Sequence, residues 1–296
     1  MVRALKGLED AVPITVVYPI WQRTRPNDPS DPHKGWVFAN TFDSEAPLTN
    51  TDGVGGPFPS TFDRNEADPV LGCKSIRDLY EQAGDADGKD TVPLLFDKKT
   101  GTIVSKESLQ ITKMLNDCFN DFAKNASLDL YPLIERTKID AMGDLIFHLS
   151  NGVYRVGFAK TQKDYDESMD AVEMAFDKIE TILSSQRYMC GDQMTEADVR
   201  LFVTLIRFDE IYSIYFKCTT RSVMASQILL DYCRDIYQTG NIRETIDMEQ
   251  ARAHYYCSHP ELNKYSLIPR FPFSFMKKLE EPHDRASLSA SSNEEE

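Results

Sequence analysis

Residues 91–114 read TVPLLFDKKTGTIVSKESLQITKM, and this stretch decides more about the fold than any other part of the chain. Two β-rich runs, at 92–96 and 102–104, flank the polar loop DKKTG at 97–101, which is the pattern of a β-hairpin. Apolar residues then repeat at helical spacing after Ser105 and Ser108, two good helix-capping residues. The stretch therefore predicts a strand, a short loop, a second strand and the start of a helix.

The same stretch carries groups that could hold a small polar ligand. Pro93 cannot donate a hydrogen bond to a sheet, so it predicts a strand start or edge and leaves the backbone of Val92 for another partner. A helix that begins beside Glu107 and Ser108 presents free N–H groups and a hydroxyl, which suit a carboxylate or the end of an amino acid. On local chemistry alone, an ordinary hairpin followed by an ordinary capped helix is the better explanation.

Composition narrows the class of protein. The 296 residues fit two modest domains or one large one, and 41% hydrophobic residues are enough for a core. A net charge of −14 without a basic patch argues against nucleic acid and anionic membranes as partners, and no apolar run is long enough to span a bilayer. The N-terminus lacks the pattern of a secretory signal, so a cytoplasmic location is predicted. The six scattered cysteines have no CxxC spacing, which favours reduced thiols and gives no support for a metal site.

The elements expected along the chain fall into two classes. Residues 12–18 (VPITVVY) predict a buried strand, residues 22–75 a long loop that is either a functional lid or partly mobile, and residues 75–84 a short helix. Long helical periodicity follows, which predicts helices at 131–160, 162–185, 195–217, 224–238 and 247–258.

A helix start is marked most clearly at Thr195. The run Thr195-Glu196-Ala197-Asp198 before apolar residues is a variant of the capping box, in which the Asp198 carboxylate reaches back to Thr195, with Met194 as the hydrophobic staple. The expected role of this box is structural.

Longer blocks of sequence resemble one protein family. Val-Pro, a hairpin and Glu-Ser at a helix start are similar to the glutathione site of glutathione transferases. The sequence resembles most closely the xi class, the glutathionyl-hydroquinone reductases. The resemblance continues in the blocks GWVFA (35–39), NGVYRVGFA (151–159), GDQMTEADVRLFVTLIRFD (191–209), YFKC (215–218), RAHYYCSH (252–259) and EPHDR (281–285).

The resemblance implies a fold with definite boundaries. It predicts an α/β thioredoxin-like domain at 1–122, lacking its N-terminal strand, and an all-α C-terminal glutathione transferase domain at 128–262. Residues 263–296 are rich in Pro, Ser and Glu, which predicts an extended, largely disordered acidic tail.

The resemblance also implies site residues and partners. Glu107 and Ser108 match the pair that holds the γ-glutamyl end of glutathione, and Val92 matches the residue whose backbone pairs with its cysteinyl unit. Trp36 matches an aromatic residue that lies against the peptide, although a loop anchor packed on the core is an even alternative. Tyr154 and Tyr255 match residues that bind the quinone-derived end of the substrate. Lys106 stands where the family usually carries Asn. Glutathione is the implied cosubstrate, glutathionyl-hydroquinones are the implied substrates, and a homodimer is expected.

The family's reacting group has no match in these residues. The reaction is carried by the cysteine of a Cys-Pro-Trp-Ala motif, and no such run occurs in the 296 residues. The chain resembles the family from inside helix 1 onward, so it is expected to be either an incomplete form or a variant without the nucleophile. Cys73 and Cys257 are the alternatives considered, with inert thiols the better explanation. Three functions follow: a reductase, a non-catalytic module that binds glutathione or a partner, and a structural chain that binds no glutathione. The segment 12–18, without its neighbouring strand, is expected to be less stable than residues 199–207.

Overall fold

The hairpin predicted from the opening stretch is present. In the computed structural model, which describes residues 1–42, 47–85, 89–271 and 275–290, strand Leu95–Asp97 pairs antiparallel with strand Thr102–Ser105. Asp97 closes the loop, because its carboxylate accepts from the Lys99 amide at 2.8 Å and the Thr100 hydroxyl at 2.8 Å. Gly101 supplies the positive φ of 69° that the turn requires.

The strands and helices run in the following order. The strands are β1 (Gln22–Arg23), β2 (Lys34–Gly35), β3 (Leu95–Asp97) and β4 (Thr102–Ser105), paired as β1–β2 and β3–β4. The helices are α1 (Val2–Lys6), α2 (Ile76–Gln82), α3 (Ser108–Asp117), α4 (Arg136–Gly157), α5 (Gln162–Leu183), α6 (Glu196–Arg207), α7 (Ser213–Tyr215), α8 (Gln227–Tyr237), α9 (Met248–Ser258), α10 (Phe275–Leu279) and α11 (Ala286–Ala290). A π-helical turn, Phe208–Tyr212, joins α6 to α7.

The elements form two compact units, neither of them continuous in sequence. The helical unit comprises Met1–Ala11, Leu115–Ile246 and the described residues from Phe271 onward, and the mixed unit comprises Val12–Met114 and Asp247–Arg270. The contiguous limits drawn from the sequence stay a prediction.

The core of the helical unit is built on the faces of its long helices. Buried residues of α4, α5, α6 and α8 include Leu149, Phe176, Leu201 and Ile236. The capping box predicted for α6 is present: Asp198 Oδ2 accepts from the Thr195 amide at 2.8 Å and from the Thr195 hydroxyl at 3.0 Å.

The core of the mixed unit is smaller and surrounds the hairpin. Five residues form its buried cluster, and Trp36, Val92 and Ile103 pack against it; the five are Phe38, Cys73, Ile76, Leu79 and Tyr80. Described residues of the 22–75 segment contact α2: the Arg77 guanidinium donates to Asp31 at 2.6 Å, and Arg25 donates to Glu81 at 2.7 Å. Residues 43–46 of the predicted loop lie outside the described residues.

The strand predicted at residues 12–18 is wrong. Within the described residues, Val16 makes a single parallel bridge with Asn65, and Ile14 is 56% exposed. A strand is stabilised by a ladder along its edges, and the described residues of this segment form no such ladder, although the Tyr18 amide donates to the Val37 carbonyl at 2.9 Å.

The prediction of an extended, largely disordered tail is wrong for residues 275–290. Phe275 and Leu279, on α10, are fully buried. Arg285, just before α11, is also buried and donates from one Nη to the carbonyls of Leu183 at 3.1 Å and Arg187 at 2.7 Å. Two apolar side chains and a guanidinium therefore order a segment whose composition alone favoured disorder. Residues 272–274 and 291–296 of the predicted tail lie outside the described residues.

Candidate glutathione site

The mixed unit carries five of the six predicted binding residues, namely the four predicted for glutathione and Tyr255. Trp36 and Val92 lie against the same buried cluster. Glu107 and Ser108 follow β4 after one intervening residue, Lys106, and are exposed at the amino end of α3. The Ile111 amide donates to the Glu107 carbonyl at 2.9 Å, so Glu107 stands at the cap position of this helix.

The turn into α3 is held by Ser105. Its hydroxyl oxygen accepts from the Glu107 amide at 3.2 Å, and the hydroxyl donates to Gln110 Oε1 at 3.1 Å. Because Ser105 is buried and bonded to both sides of the junction, the exposed Glu107 and Ser108 side chains project from a fixed backbone.

Val92 lies just before Pro93, ahead of strand β3. The Val92–Pro93 peptide bond is cis. Among the described residues, no backbone group outside the helices and strands forms a hydrogen bond with the Val92 amide or carbonyl. Lys106, where the family usually carries Asn, forms an ion pair with Asp85 at 2.9 Å and lies 5.6 Å from the Tyr80 ring centroid.

Trp36 lies in a group of aromatic rings that the sequence did not reveal. Its indole stacks on the imidazole of His254, with centroids 4.5 Å apart and planes at 21°. Trp21 meets Trp36 edge-on at 6.0 Å and His259 at 4.9 Å. The RAHYYCSH block contains both histidines, but no spacing in the sequence relates them to the tryptophans.

The two predicted quinone-binding tyrosines have different surroundings. Tyr255, on α9 of the mixed unit, is 8% exposed, and its ring lies edge-on to His254 at 5.3 Å. Tyr154, on α4 of the helical unit, is 40% exposed and lies beside Phe216 at 5.2 Å. Gly157 allows this packing, because a Cβ there would lie 2.2 Å from the Phe216 ring. The roles of these tyrosines stay a prediction.

The cysteines considered as replacement nucleophiles are poorly suited to that role. Burial raises the pKa of the Cys73 thiol to about 12, with the hydrogen bond to Asp68 adding to the effect, and burial raises the pKa of Cys257 to about 12. A thiol reacts as the thiolate, so both are unreactive near neutral pH.

Within the described part of the chain, no cluster of three or more His, Cys, Asp or Glu side chains is arranged to hold a metal ion. No described helix combines the length and apolar character required to cross a bilayer.

Known proteins match this chain over nearly its whole length. Residues 162–234 match the family "Glutathione S-transferase, C-terminal domain". The glutathionyl-hydroquinone reductase YqjG of Escherichia coli is 37% identical over 290 residues, which cover 96% of this chain and 77% of that protein. The glutathionyl-hydroquinone reductase PcpF of Sphingobium chlorophenolicum is 32% identical over 274 residues, 92% of this chain and 77% of that protein.

Solved structures give the same result. The glutathione-bound structure of Escherichia coli YqjG superposes with a TM-score of 0.81 at 36% identity, covering 96% of this chain and 82% of that one. The glutathione transferase Xi 1 of Trametes versicolor superposes with a TM-score of 0.79 at 35% identity, covering 93% and 86% of the two chains. The expected fold class, thioredoxin-like followed by all-helical, is confirmed, and the chain belongs to the xi class of the glutathione transferase superfamily.

Proposed function

We propose that this chain binds glutathione and takes part in the glutathione-dependent reduction of glutathionyl-hydroquinones. The observation that carries the proposal is the placement of Glu107 and Ser108. Both are exposed at the amino end of α3, in the same unit as Val92 and Trp36. Glu107 would hold the α-ammonium group of glutathione, and Ser108 with the first amides of α3 would hold its α-carboxylate.

In the reaction that the family resemblance implies, the thiolate of the Cys-Pro-Trp-Ala cysteine, a motif that these 296 residues do not contain, attacks the sulfur of the glutathionyl-hydroquinone. The bond between that sulfur and the ring carbon breaks, the hydroquinone leaves with the electron pair and takes up a proton, and a mixed disulfide with glutathione remains. A second glutathione thiolate then attacks the mixed disulfide, and glutathione disulfide is released. Tyr154 and Tyr255 are proposed to bind the quinone-derived ring.

These 296 residues are proposed to bind glutathione with little or no turnover of their own. The sequence has no Cys-Pro-Trp-Ala run. Burial raises the pKa of Cys73, Cys218 and Cys257 to about 12, which disfavours a thiolate at each of them. The absent motif and the raised thiol pKa values also favour the second candidate function, a non-catalytic module that binds glutathione.

Calorimetric titration with glutathione tests the binding residues. Loss of one charge-assisted hydrogen bond costs about 1.5–3 kcal/mol, so Glu107→Ala or Ser108→Ala should weaken binding roughly 10- to 100-fold. Glu167→Ala, at an exposed glutamate of α5, is the matched control and should bind like the wild type. Equal affinity of Glu107→Ala and wild type would contradict the proposed site.

The same titration tests whether Tyr154 and Tyr255 bind the quinone-derived end of the substrate and not its glutathione end. Tyr154→Phe and Tyr255→Phe should weaken binding of a glutathionyl-hydroquinone while leaving binding of glutathione unchanged.

Robust reductase activity of purified residues 1–296 would contradict the proposed lack of turnover. A wild-type chain that binds no glutathione would favour the structural alternative.

A homodimer and a cytoplasmic location complete the proposal. The support is the family membership of the chain. Sedimentation equilibrium would contradict the dimer if the mass stayed at the 33.7 kDa of one chain across the micromolar range.

A further inference from the structure

Helix α9 holds the chain segment that contains Trp21. His254 Nδ1 lies 2.9 Å from the Pro19 carbonyl oxygen and 3.2 Å from Ser258 Oγ. The Trp21 amide donates to Ser258 Oγ at 3.0 Å. His254 and Ser258 are one helical turn apart and so share a face of α9. Because a carbonyl only accepts, Nδ1 of His254 carries the hydrogen and the imidazole is fixed in its plane.

That fixed imidazole covers one face of Trp36. The two rings are nearly parallel, 21° apart with centroids at 4.5 Å, which is the offset-stacked distance for aromatic pairs. Trp21 closes the edge of Trp36 at 88°. Trp36 itself remains half-buried, so part of its indole is still accessible.

A tryptophan that lies against a flexible peptide binds better when its own side chain is already ordered, because less rotamer freedom is lost on binding. His254 provides that order by stacking on one face of the Trp36 indole. It also precedes Tyr255, the residue proposed for the quinone-derived ring, so one turn of α9 touches both parts of the proposed site.

We propose that His254 is a positioning residue of the glutathione site: its imidazole, held by Pro19 and Ser258, fixes the plane of the Trp36 indole against which glutathione lies. This inference rests on the proposed function. His254 acts through Trp36 and needs no contact with the substrate.

Three substitutions separate the stack from the hydrogen bond. His254→Phe keeps an aromatic ring beside Trp36 but cannot donate to Pro19, whereas His254→Asn keeps a donor and removes the ring. His254→Ala removes both. His148→Ala, at an exposed histidine of α4, is the matched control.

The first readout needs no ligand. The chain has two tryptophans, and both belong to this ring group, so in a Trp21→Phe background the time-resolved fluorescence anisotropy reports Trp36 alone. We expect fast local motion of Trp36 in His254→Asn and His254→Ala, and a rigid indole in His254→Phe and His148→Ala. A rigid Trp36 in His254→Ala would overturn the proposal.

The second readout is the dissociation constant for glutathione. An aromatic pair contributes about 0.5–1.5 kcal/mol, so His254→Asn should weaken binding roughly 2- to 12-fold and His254→Phe less than about 2-fold. If His254→Asn binds like the wild type, the positioning role is wrong while the proposed function stands. If the wild type binds no glutathione, the proposed function fails, and the anisotropy still decides whether His254 orders Trp36.

A merely structural role for His254 predicts a different result. Partial unfolding of the mixed unit would loosen Trp36 in all three variants, including His254→Phe, and would also broaden the thermal transition. If His254→Phe has a rigid Trp36 and nearly wild-type affinity for glutathione, His254 acts by stacking on Trp36. A general contribution of His254 to stability would not give that result.

Discussion

At the scale of single residues, burial sets the chemistry of the thiols. Five of the six cysteines are buried, and Cys118, just after α3, is exposed. Burial raises the pKa of Cys190 and Cys233 as well as those of the three thiols with values near 12. Among the six thiols, Cys118 is therefore the one that a reagent in solution can reach in the folded chain.

Thiol labelling checks this distribution. A disulfide reagent at pH 8 should modify one thiol per native chain quickly and all six after denaturation in urea. Cys118→Ser should abolish the fast reaction, while Cys233→Ser, at a fully buried position, should leave it unchanged. Rapid modification of two or more thiols in the native chain would show that a buried cysteine is accessible.

Residues of the candidate site differ in how far the sequence could reveal them. Glu107 and Ser108 belong to a continuous motif, so their position at the start of a helix could be predicted. His254 could not, because its acceptor on Pro19 is 235 positions away and its stacking partner is Trp36. Contacts at that separation depend on the packed fold and leave no local pattern.

At the scale of elements, helix starts were predictable and an isolated strand was not. The box at Thr195 and Asp198 is set by residues three apart, and it is confirmed. The segment 12–18 has strand-like composition, but a strand forms only where a neighbour supplies a ladder. Its low stability relative to residues 199–207 stays a prediction that native-state hydrogen exchange can check.

The Asp198 carboxylate is expected to stabilise α6 strongly. It is fully buried and accepts from the Met189 amide at 2.8 Å and the Tyr232 hydroxyl at 2.9 Å, besides Thr195. Burial raises the pKa of Asp198, and these donors act against that rise. Asp198→Ala should lower the free energy of unfolding by about 3 kcal/mol or more, since several buried donors lose their acceptor.

Urea denaturation followed by circular dichroism measures that loss. Asp198→Asn should also destabilise the chain, because its amide NH₂ faces groups that donate. Asp170→Ala, at an exposed aspartate of α5, is the control and should change stability by less than about 0.5 kcal/mol. If Asp198→Ala unfolds at the same urea concentration as the wild type, the capping box contributes little to the free energy of unfolding.

At the scale of the whole molecule, the helical unit gathers three separate stretches of chain. The fold class followed from the family resemblance. The packing of residues 275–290 did not, because composition describes only local tendencies. The contacts of Arg285 lie about a hundred positions earlier in the chain, at the last carbonyl of α5 and at carbonyls just after it.

Removing the Arg285 guanidinium should destabilise the helical unit. Its donors satisfy the Leu183 and Arg187 carbonyls, and Gln186 accepts at 2.5 Å. Arg285→Ala should cost about 2–4 kcal/mol, and Arg285→Lys part of that, since an ammonium cannot reproduce the planar fork. Thermal unfolding measures the cost, with Arg155→Ala on the exposed side of α4 as the control. Equal melting temperatures for wild type and Arg285→Ala would contradict this role.

The hydrogen bonds from Arg285 to the end of α5 also affect how the protein folds while it is being translated. Its acceptor at Leu183 is 102 positions upstream, so the ribosome makes a third of the chain after α5 before the cap of that helix exists. Translation adds about 5–20 residues per second, which leaves α5 without this cap for several seconds. The mixed unit is likewise incomplete until its last segment, Asp247–Arg270, has been translated. Both units therefore depend on segments that are made after residue 246, and a nascent chain stalled at that residue would expose apolar surface in both.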